Sequence, residues 1–386
     1  MFSKKFKQYL SKAYDEPKIK KSKSRGVDGI NGEQFINLLE NTDEVNIILN
    51  KLNNQTYKFS YYVELLKIKS HNNTRKISVP TQRDKLILKS IYEIIKDELN
   101  YNPPSRERMI KEIKQNYKNY THFIKVDIKK FFDKINHQIL FDKLEEKLPL
   151  YIYQLIKQAV TQKTISLDSS TKERKSSPFN KKGVPQGLPI SNILGDLYLQ
   201  EFDEYFNSLN KIKYFRFVDD ILILCNEKEI KKLKKEIKNK LGNLKLKPHK
   251  FSDNKDKSHH NSIQEGFQYL GYIFYPDKIT IRKSSVQNFY KRLNKIFTKF
   301  KYQEKNFISE LFFIQKINKK IEGYSFKDKQ IGWLVAFKEI NDYKLLNQID
   351  NFIDKKIKEI ELESFLKEHN LEIKKLENCL FDIRKN

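Results

Sequence analysis

The sequence predicts an α+β fold, with short strands and amphipathic helices mixed up to residue 281 and helices after that. Three observations predict it. Runs at 61–69 and 75–80 flank a polar turn, His71-Asn72-Asn73-Thr74, like the arms of a hairpin. Runs at 122–128 and 214–225 are short and apolar, and each carries aspartate. From Ser284 onward the apolar residues recur at helical spacing.

Residues 1–25 form a Lys/Ser-rich basic segment that ends at Gly26-Val27-Asp28-Gly29. Residues 33–58 read as a helix, because Phe35, Leu38, Leu39, Val45, Ile48 and Leu52 fall on a helical period. Asp84 to Leu99 is amphipathic, with Asp84 placed to favour the helix dipole. Residues 103–120 open on Pro103-Pro104 and then turn helical. After the strand 122–128, helices are expected at 136–148 and 151–163, with a polar hairpin or loop over 166–182. Gly183-Val-Pro-Gln-Gly-Leu-Pro189 can only be a turn, and it opens a helix from Ile190 to Leu209. A basic helix is expected at 227–241 and a hairpin over 267–281, joined at Pro276-Asp277.

The chain has 386 residues, 38% hydrophobic and 13% aromatic, enough to bury a sizeable core and exclude disorder over most of its length. Its net charge of +27 points to a polyanionic partner, nucleic acid before anionic membrane. Only ten of the 76 basic residues are arginines, so part of the charge reads as lysine-rich surface drift. The charge is nevertheless positioned. Residues 231–257 hold 11 lysines against 3 acids, whereas 338–386 hold 10 basic and 11 acidic residues. Two cysteines, Cys225 and Cys379, build neither a disulfide framework nor a four-cysteine zinc site. No apolar run reaches membrane-spanning length and the start lacks an apolar signal region, so a cytoplasmic protein without a membrane partner is expected.

The chemistry sits in Phe217-Val218-Asp219-Asp220-Ile221-Leu222, where two carboxylates interrupt an apolar run. Such a pair is either a solvated hairpin turn or a hairpin tip that holds a divalent cation. Asp127 ends another apolar strand 92 residues earlier, followed by Ile128, Phe131, Phe132 and Asp133. Two strands that end in carboxylates can lie side by side and assemble hard oxygen ligands around Mg²⁺. Two such ions can clamp an in-line displacement at phosphorus.

These residues carry a family resemblance. Phe123-x-x-x-Asp127-x-x-x-Phe131-Phe132-Asp133, then Val184-Pro-Gln186-Gly187-Leu-Pro-Ile-Ser191, then Phe217-Val-Asp219-Asp220 resemble, in order and spacing, the palm motifs of reverse transcriptases. Gly26-Val-Asp-Gly29 and Arg75-Lys-Ile-Ser-Val-Pro-Thr-Gln-Arg-Asp84 resemble fingers segments of the bacterial, group II intron-like branch. Leu244-Lys-Leu246 with Lys250 is similar to the next palm motif, and Phe267-Gln-Tyr-Leu-Gly271 to the primer-grip hairpin. The resemblance covers residues 26–281 and continues loosely through a helical thumb. It implies a right-hand polymerase with fingers over 26–121, palm over 122–281 (fingers again near 150–185) and thumb plus C-terminal extension over 282–386.

The resemblance also implies roles. Asp127, Asp219 and the Ile128 carbonyl match the ligands of two Mg²⁺ ions, for which Mn²⁺ can substitute, and Asp220 matches the supporting acid. Phe132 matches the steric gate under the sugar, with a core aromatic as the alternative. Gln186 and Gly187 match the turn that packs on the incoming nucleotide. Arg75 matches the fingers cation on the triphosphate, with Lys69 as its candidate partner. Lys250 is a candidate proton donor to pyrophosphate, with Lys247, Lys255 and Lys257 nearby.

Departures from the pattern set the expected branch. The acid motif reads Phe-Val-Asp-Asp, not Tyr-Ala-Asp-Asp, and the turn reads Pro-Gln-Gly-Leu-Pro. A Val-Thr-Gly thumb triplet, a Ser-Tyr-Gly-Phe-Arg-like segment over 100–121, and a zinc or His-Asn-His nuclease tail are not found. This pattern is similar to stand-alone antiphage and abortive-infection reverse transcriptases. The expected partners are dNTPs, a DNA product and an RNA template, chiefly a non-coding RNA, with a second copy or another protein as a further partner. A mobile-element (group II intron or retron-like) enzyme and a catalytically dispensable RNA-binding scaffold are the alternatives.

Overall fold

The computed structural model of the chain describes residues 7–8, 25–39, 42–70, 73–251, 257–304, 306–326 and 329–385. Nearly all of the predicted basic segment 1–25 therefore lies outside the described residues. Two compact units are present. The first comprises residues 1–104, 125–221 and 228–259, and the second 105–124, 222–227 and 260–386.

The first unit opens with two helices, α1 (Gly32–Leu39) and α2 (Thr42–Asn53), where one had been expected. Strands β1 (Tyr62–Ser70) and β2 (Asn73–Val79) pair antiparallel, with a register shift between Ile68 and Ser70. Helix α3 (Gln82–Glu98) is capped by the Thr81 side chain, which accepts from Asp84 N–H. Asp84 is fully buried, and it accepts from Tyr57 Oη at 2.6 Å and from Ser60 N–H at 3.0 Å. That pairing satisfies a carboxylate that burial pushes above its usual pKa range.

Within 105–124 lies α4 (Arg106–Asn116), and the chain then enters β3 (His122–Asp127). Next come α5 (Phe131–Lys134), α6 (His137–Glu145), α7 (Leu150–Thr161), β4 (Thr164–Ile165) and α8 (Thr171–Ser176). Residues 166–182, expected as a polar hairpin or loop, are loop apart from α8. β4 joins β1 in parallel, and Ser170 and Glu173 form a capping box that starts a short helix. Helix α9 (Ser191–Asn207) leads to β5 (Lys213–Phe217), β6 (Asp220–Cys225), α10 (Ile230–Asn243) and β7 (His259–Ser262). The central sheet has the order β5-β6-β3-β7. β6, inside this order, is apolar on both faces and is buried from Ile221 to Cys225.

In the second unit, β8 (Phe267–Tyr269), β9 (Tyr272–Phe274) and β10 (Ile279–Ile281) form an antiparallel meander, one strand more than the expected hairpin. The extra turn, Leu270-Gly271, has φ of 46° and 88°. Phe267 stacks on Phe274 at 4.9 Å, and Tyr117 packs on both. The remaining elements are α11 (Lys283–Lys301), α12 (Phe307–Ile321), β11 (Tyr324–Phe326), β12 (Lys329–Ile331), α13 (Trp333–Ala336), α14 (Tyr343–Glu359), α15 (Glu363–Glu368) and α16 (Leu376–Lys385). The β11–β12 hairpin interrupts a stretch expected to be all helix. Phe289, Phe297 and Phe300 are buried in the core of the helical region. No described helix is long and apolar enough to cross a membrane.

Candidate active site

Asp127 is the last residue of β3 and Asp219 the second residue of the two-residue turn between β5 and β6. Both lie in the first unit. The sheet order puts β6 beside β3, and Ile128 N–H donates to the Asp219 carbonyl at 3.2 Å. The two aspartates, 92 residues apart in sequence, are therefore neighbours. Burial and then the Asp219 charge push the Asp127 carboxyl above the usual carboxylate range, while His249, Lys257 and Lys125 pull it back. A half-buried pair of like charges is a donor set that suits a hard dication, because the cation offsets both the repulsion and the desolvation.

Asp220 behaves differently. As the first residue of β6 it sits 3.9 Å from the Nζ of Lys125, a buried lysine two residues before Asp127 and hence on the same face of β3. Among the described residues no three His, Cys, Asp or Glu side chains gather as a metal site. Asp127 and Asp219 thus face each other across adjacent strands, and Asp220, expected as the supporting acid, sits beside Lys125. Ile128 is buried and forms an isolated bridge with Pro248.

The turn that carries Asp219 is under strain. Val218 has φ of 60°, a left-handed conformation that β-branched residues rarely adopt and that costs on the order of 1–3 kcal/mol.

A second group forms around the 183–189 turn. Arg75 Nε on β2 donates to the Gln186 side-chain oxygen, and Gln186 Nε2 donates to Asp133 Oδ1 at 2.8 Å. The Gln186 carbonyl accepts from Ser78 N–H at 2.7 Å, and Val184 N–H donates to the Phe132 carbonyl at 2.8 Å. The turn is therefore tied to β2 on one side and to the backbone at Phe132 on the other. Gly187 has φ of 109°, and a Cβ there would meet the Ile77 side chain at 2.7 Å and the Ser78 carbonyl at 2.9 Å. Glycine is required on both counts. Phe132 is buried, its ring 5.1 Å from that of Phe131, and a Cβ on Gly195 of α9 would lie 3.3 Å from it. Its ring thus packs between Phe131 and α9, beside the 183–189 turn.

Arg75, Phe132, Gln186 and Gly187 are thus gathered in one cluster and Asp127, Ile128 and Asp219 in another, joined by the chain from 127 to 133. Lys250 is exposed. Lys69 lies in β1 at the register shift, with its side chain outside the described residues, as is all of Lys255.

Two residues near the aspartates went unread in the sequence. His249 N–H donates to the Asp127 carbonyl at 2.8 Å, and burial lowers the His249 pKa against the pull of Asp127. No local pattern marks it. Lys125 could have been found, because a lysine inside His-Phe-Ile-Lys-Val-Asp interrupts an otherwise apolar run.

A family model described as reverse transcriptase (RNA-dependent DNA polymerase) matches residues 67–274. An uncharacterized 91 kDa protein in the cob intron of Schizosaccharomyces pombe is 28% identical over 178 residues, 43% of this chain and 21% of that one. The retron Ec83 reverse transcriptase of Escherichia coli is 29% identical over 163 residues, covering 40% of this chain and 50% of its own. The group II intron-encoded protein LtrA of Lactococcus lactis is 28% identical over 165 residues, 38% of this chain and 25% of the relative. The matches thus span between a fifth and a half of the length of these relatives.

Proposed function

Because the chain belongs to the reverse transcriptase family, we propose that it is an RNA-directed DNA polymerase that adds dNTPs to a primer 3′-hydroxyl, using an RNA template. The observation that carries this reading is the meeting of Asp127 and Asp219, like-charged and half-buried, at the ends of adjacent strands. Asp127, Asp219 and the Ile128 carbonyl would hold Mg²⁺, with Asp220 supporting beside Lys125. Magnesium bound there supplies charge neutralisation at the α-phosphate and lowers the cost of ionising the attacking hydroxyl.

The chain's own residues do the positioning. Arg75, held by Gln186, grips the triphosphate through charge-assisted bonds, with Lys69 as a second cation on the same hairpin. Gln186 and Gly187 form the turn that packs on the incoming nucleotide. Phe132 excludes a 2′-hydroxyl and so selects dNTPs. Lys250 donates the proton to the leaving pyrophosphate. The lysines of α10 and α11 neutralise template and product phosphates.

The finer assignment is antiphage defence, with DNA made on a non-coding RNA encoded nearby. It is supported by the Phe-Val-Asp-Asp and Pro-Gln-Gly-Leu-Pro departures. The retron and intron relatives favour a second reading, a mobile-element or retron-like enzyme.

Purified protein with RNA from its native locus, Mg²⁺ and dNTPs should yield DNA, and Asp219→Asn should lower the yield at least about 100-fold. Absence of product from the wild-type chain with every RNA supplied would overturn the polymerase reading. Phage protection that survives Asp219→Asn would make the chain a scaffold. Sequencing RNA that co-purifies with the protein separates the defence reading from an intron or retron RNA.

A further inference from the structure

Arg216 lies in β5, two residues before Val218, and its side chain is only 4% exposed. It is not among the residues assigned a role above. Its guanidinium makes four directed contacts. Nε donates to Asp203 Oδ1 at 2.7 Å and Nη2 to Asp203 Oδ2, a two-pronged grip on one carboxylate. Nη1 donates to Asp196 Oδ1 at 2.8 Å and to the carbonyl of Val218 at 2.9 Å.

Asp196 and Asp203 are seven residues apart on α9, two turns along one face. Each is fixed in turn, Asp203 by Tyr214 Oη at 2.6 Å and Asp196 by the hydroxyl of Tyr101. The arginine is thus anchored to a long helix on one side and reaches the catalytic turn on the other. A buried arginine that served only to balance charge would need its two carboxylates and no more.

The turn needs that hold. A two-residue hairpin with positive φ at its first position ordinarily takes glycine or asparagine there, and this chain has valine. Nothing in Val218-Asp219 favours the conformation locally. The peptide before Asp219 is fixed by Arg216 through the Val218 carbonyl, and the peptide after it by Ile128 N–H at the Asp219 carbonyl.

We propose that Arg216 is a positioning residue for polymerisation: anchored on Asp196 and Asp203, it holds the Val218–Asp219 turn in the strained form that presents Asp219 beside Asp127. This rests on the polymerase reading.

The test uses the full chain with Arg216→Lys, which keeps the charge and loses the fork, and the same change combined with Val218→Gly. Arg216→Lys is expected to lower kcat for primer extension about 10- to 100-fold with KM for dNTP within about twofold. Mn²⁺ binding, followed by electron paramagnetic resonance on the protein without substrates, weakens about tenfold. Because glycine takes positive φ without strain, the double variant recovers kcat and Mn²⁺ binding to within about threefold of the wild type.

A folded Arg216→Lys that keeps wild-type kcat and Mn²⁺ affinity overturns the proposal. So does a folded double variant in which glycine restores neither. Where Arg216→Lys does not fold, Asp196→Asn loosens the same Nη1 contact, and it too must show a kcat loss that Val218→Gly repairs. If the wild-type chain makes no DNA, the polymerase reading fails, and the Mn²⁺ readings still decide whether Arg216 sets the turn.

Discussion

Two turns build the site, and they reach a positive φ by opposite means. The 183–189 turn places glycine where φ is 109° and leaves no room for a side chain. The β5–β6 turn places valine where φ is 60°. In the first the sequence itself removes the steric cost. In the second the cost stays and is met by contacts from elsewhere, the Arg216 guanidinium and the Ile128 N–H. The difference teaches that a turn which only has to fit can be written locally. A turn which has to aim a carboxylate can instead be held by the surrounding structure, and its strain persists because that structure over-determines it.

If the first turn is locally written, changing its glycine should do the most damage. Gly187→Ala forces a Cβ into Ile77 and the Ser78 carbonyl at an unfavourable φ. It is expected to raise KM for dNTP or lower kcat by about 10- to 100-fold and to destabilise the chain by about 1–3 kcal/mol, read by steady-state extension and denaturant unfolding. A near-wild-type Gly187→Ala would erase the contrast between the turns.

Gln186→Ala sharpens the same contrast at smaller cost. It removes the link from Arg75 to Asp133 but leaves the Gln186 carbonyl on Ser78. A rise in KM for dNTP of about 3- to 10-fold is expected, with kcat little changed, in single-nucleotide incorporation.

The smallest effect concerns Asp127. Its pKa is raised in the folded state, first by burial and then by Asp219. The native state therefore holds this proton more tightly than the unfolded chain does. The ionised carboxylate costs stability above that pKa, and the cost disappears as pH falls through it. Asp219→Asn removes the second cause and leaves the first. The Asp127 titration, followed by carboxyl carbon NMR without metal, should move toward the ordinary range without reaching it. An unmoved titration would mean that the two aspartates are not held as neighbours.

Much of this was legible in the sequence. The hairpin at 62–79, the strand ending at Asp127 and the helix after Pro189 follow from apolar spacing and turn residues. These are local signals, because burial alternates with the period of the element. The capping box at Ser170 and Glu173 was also written locally, although the stretch reads first as a loop. The β8–β10 meander and the β11–β12 hairpin were harder, since strands of three residues carry too few positions for a period to emerge.

By itself the sequence determined the order of the motifs, the positions of Asp127 and Asp219 at strand ends, and the glycine that the 183–189 turn requires. Only the tertiary structure decided that Asp220 goes to Lys125, that His249 stands by Asp127, and that Arg216 grips Val218 from an anchor on α9. These pairings join residues 95, 122 and, for the Asp196 anchor, 20 positions apart, and the last also turns on which way a side chain points from a buried strand. No window of neighbouring residues encodes such contacts. They exist because the packed sheet and α9 leave each buried charge few partners within reach, and an unpaired buried charge costs too much to persist.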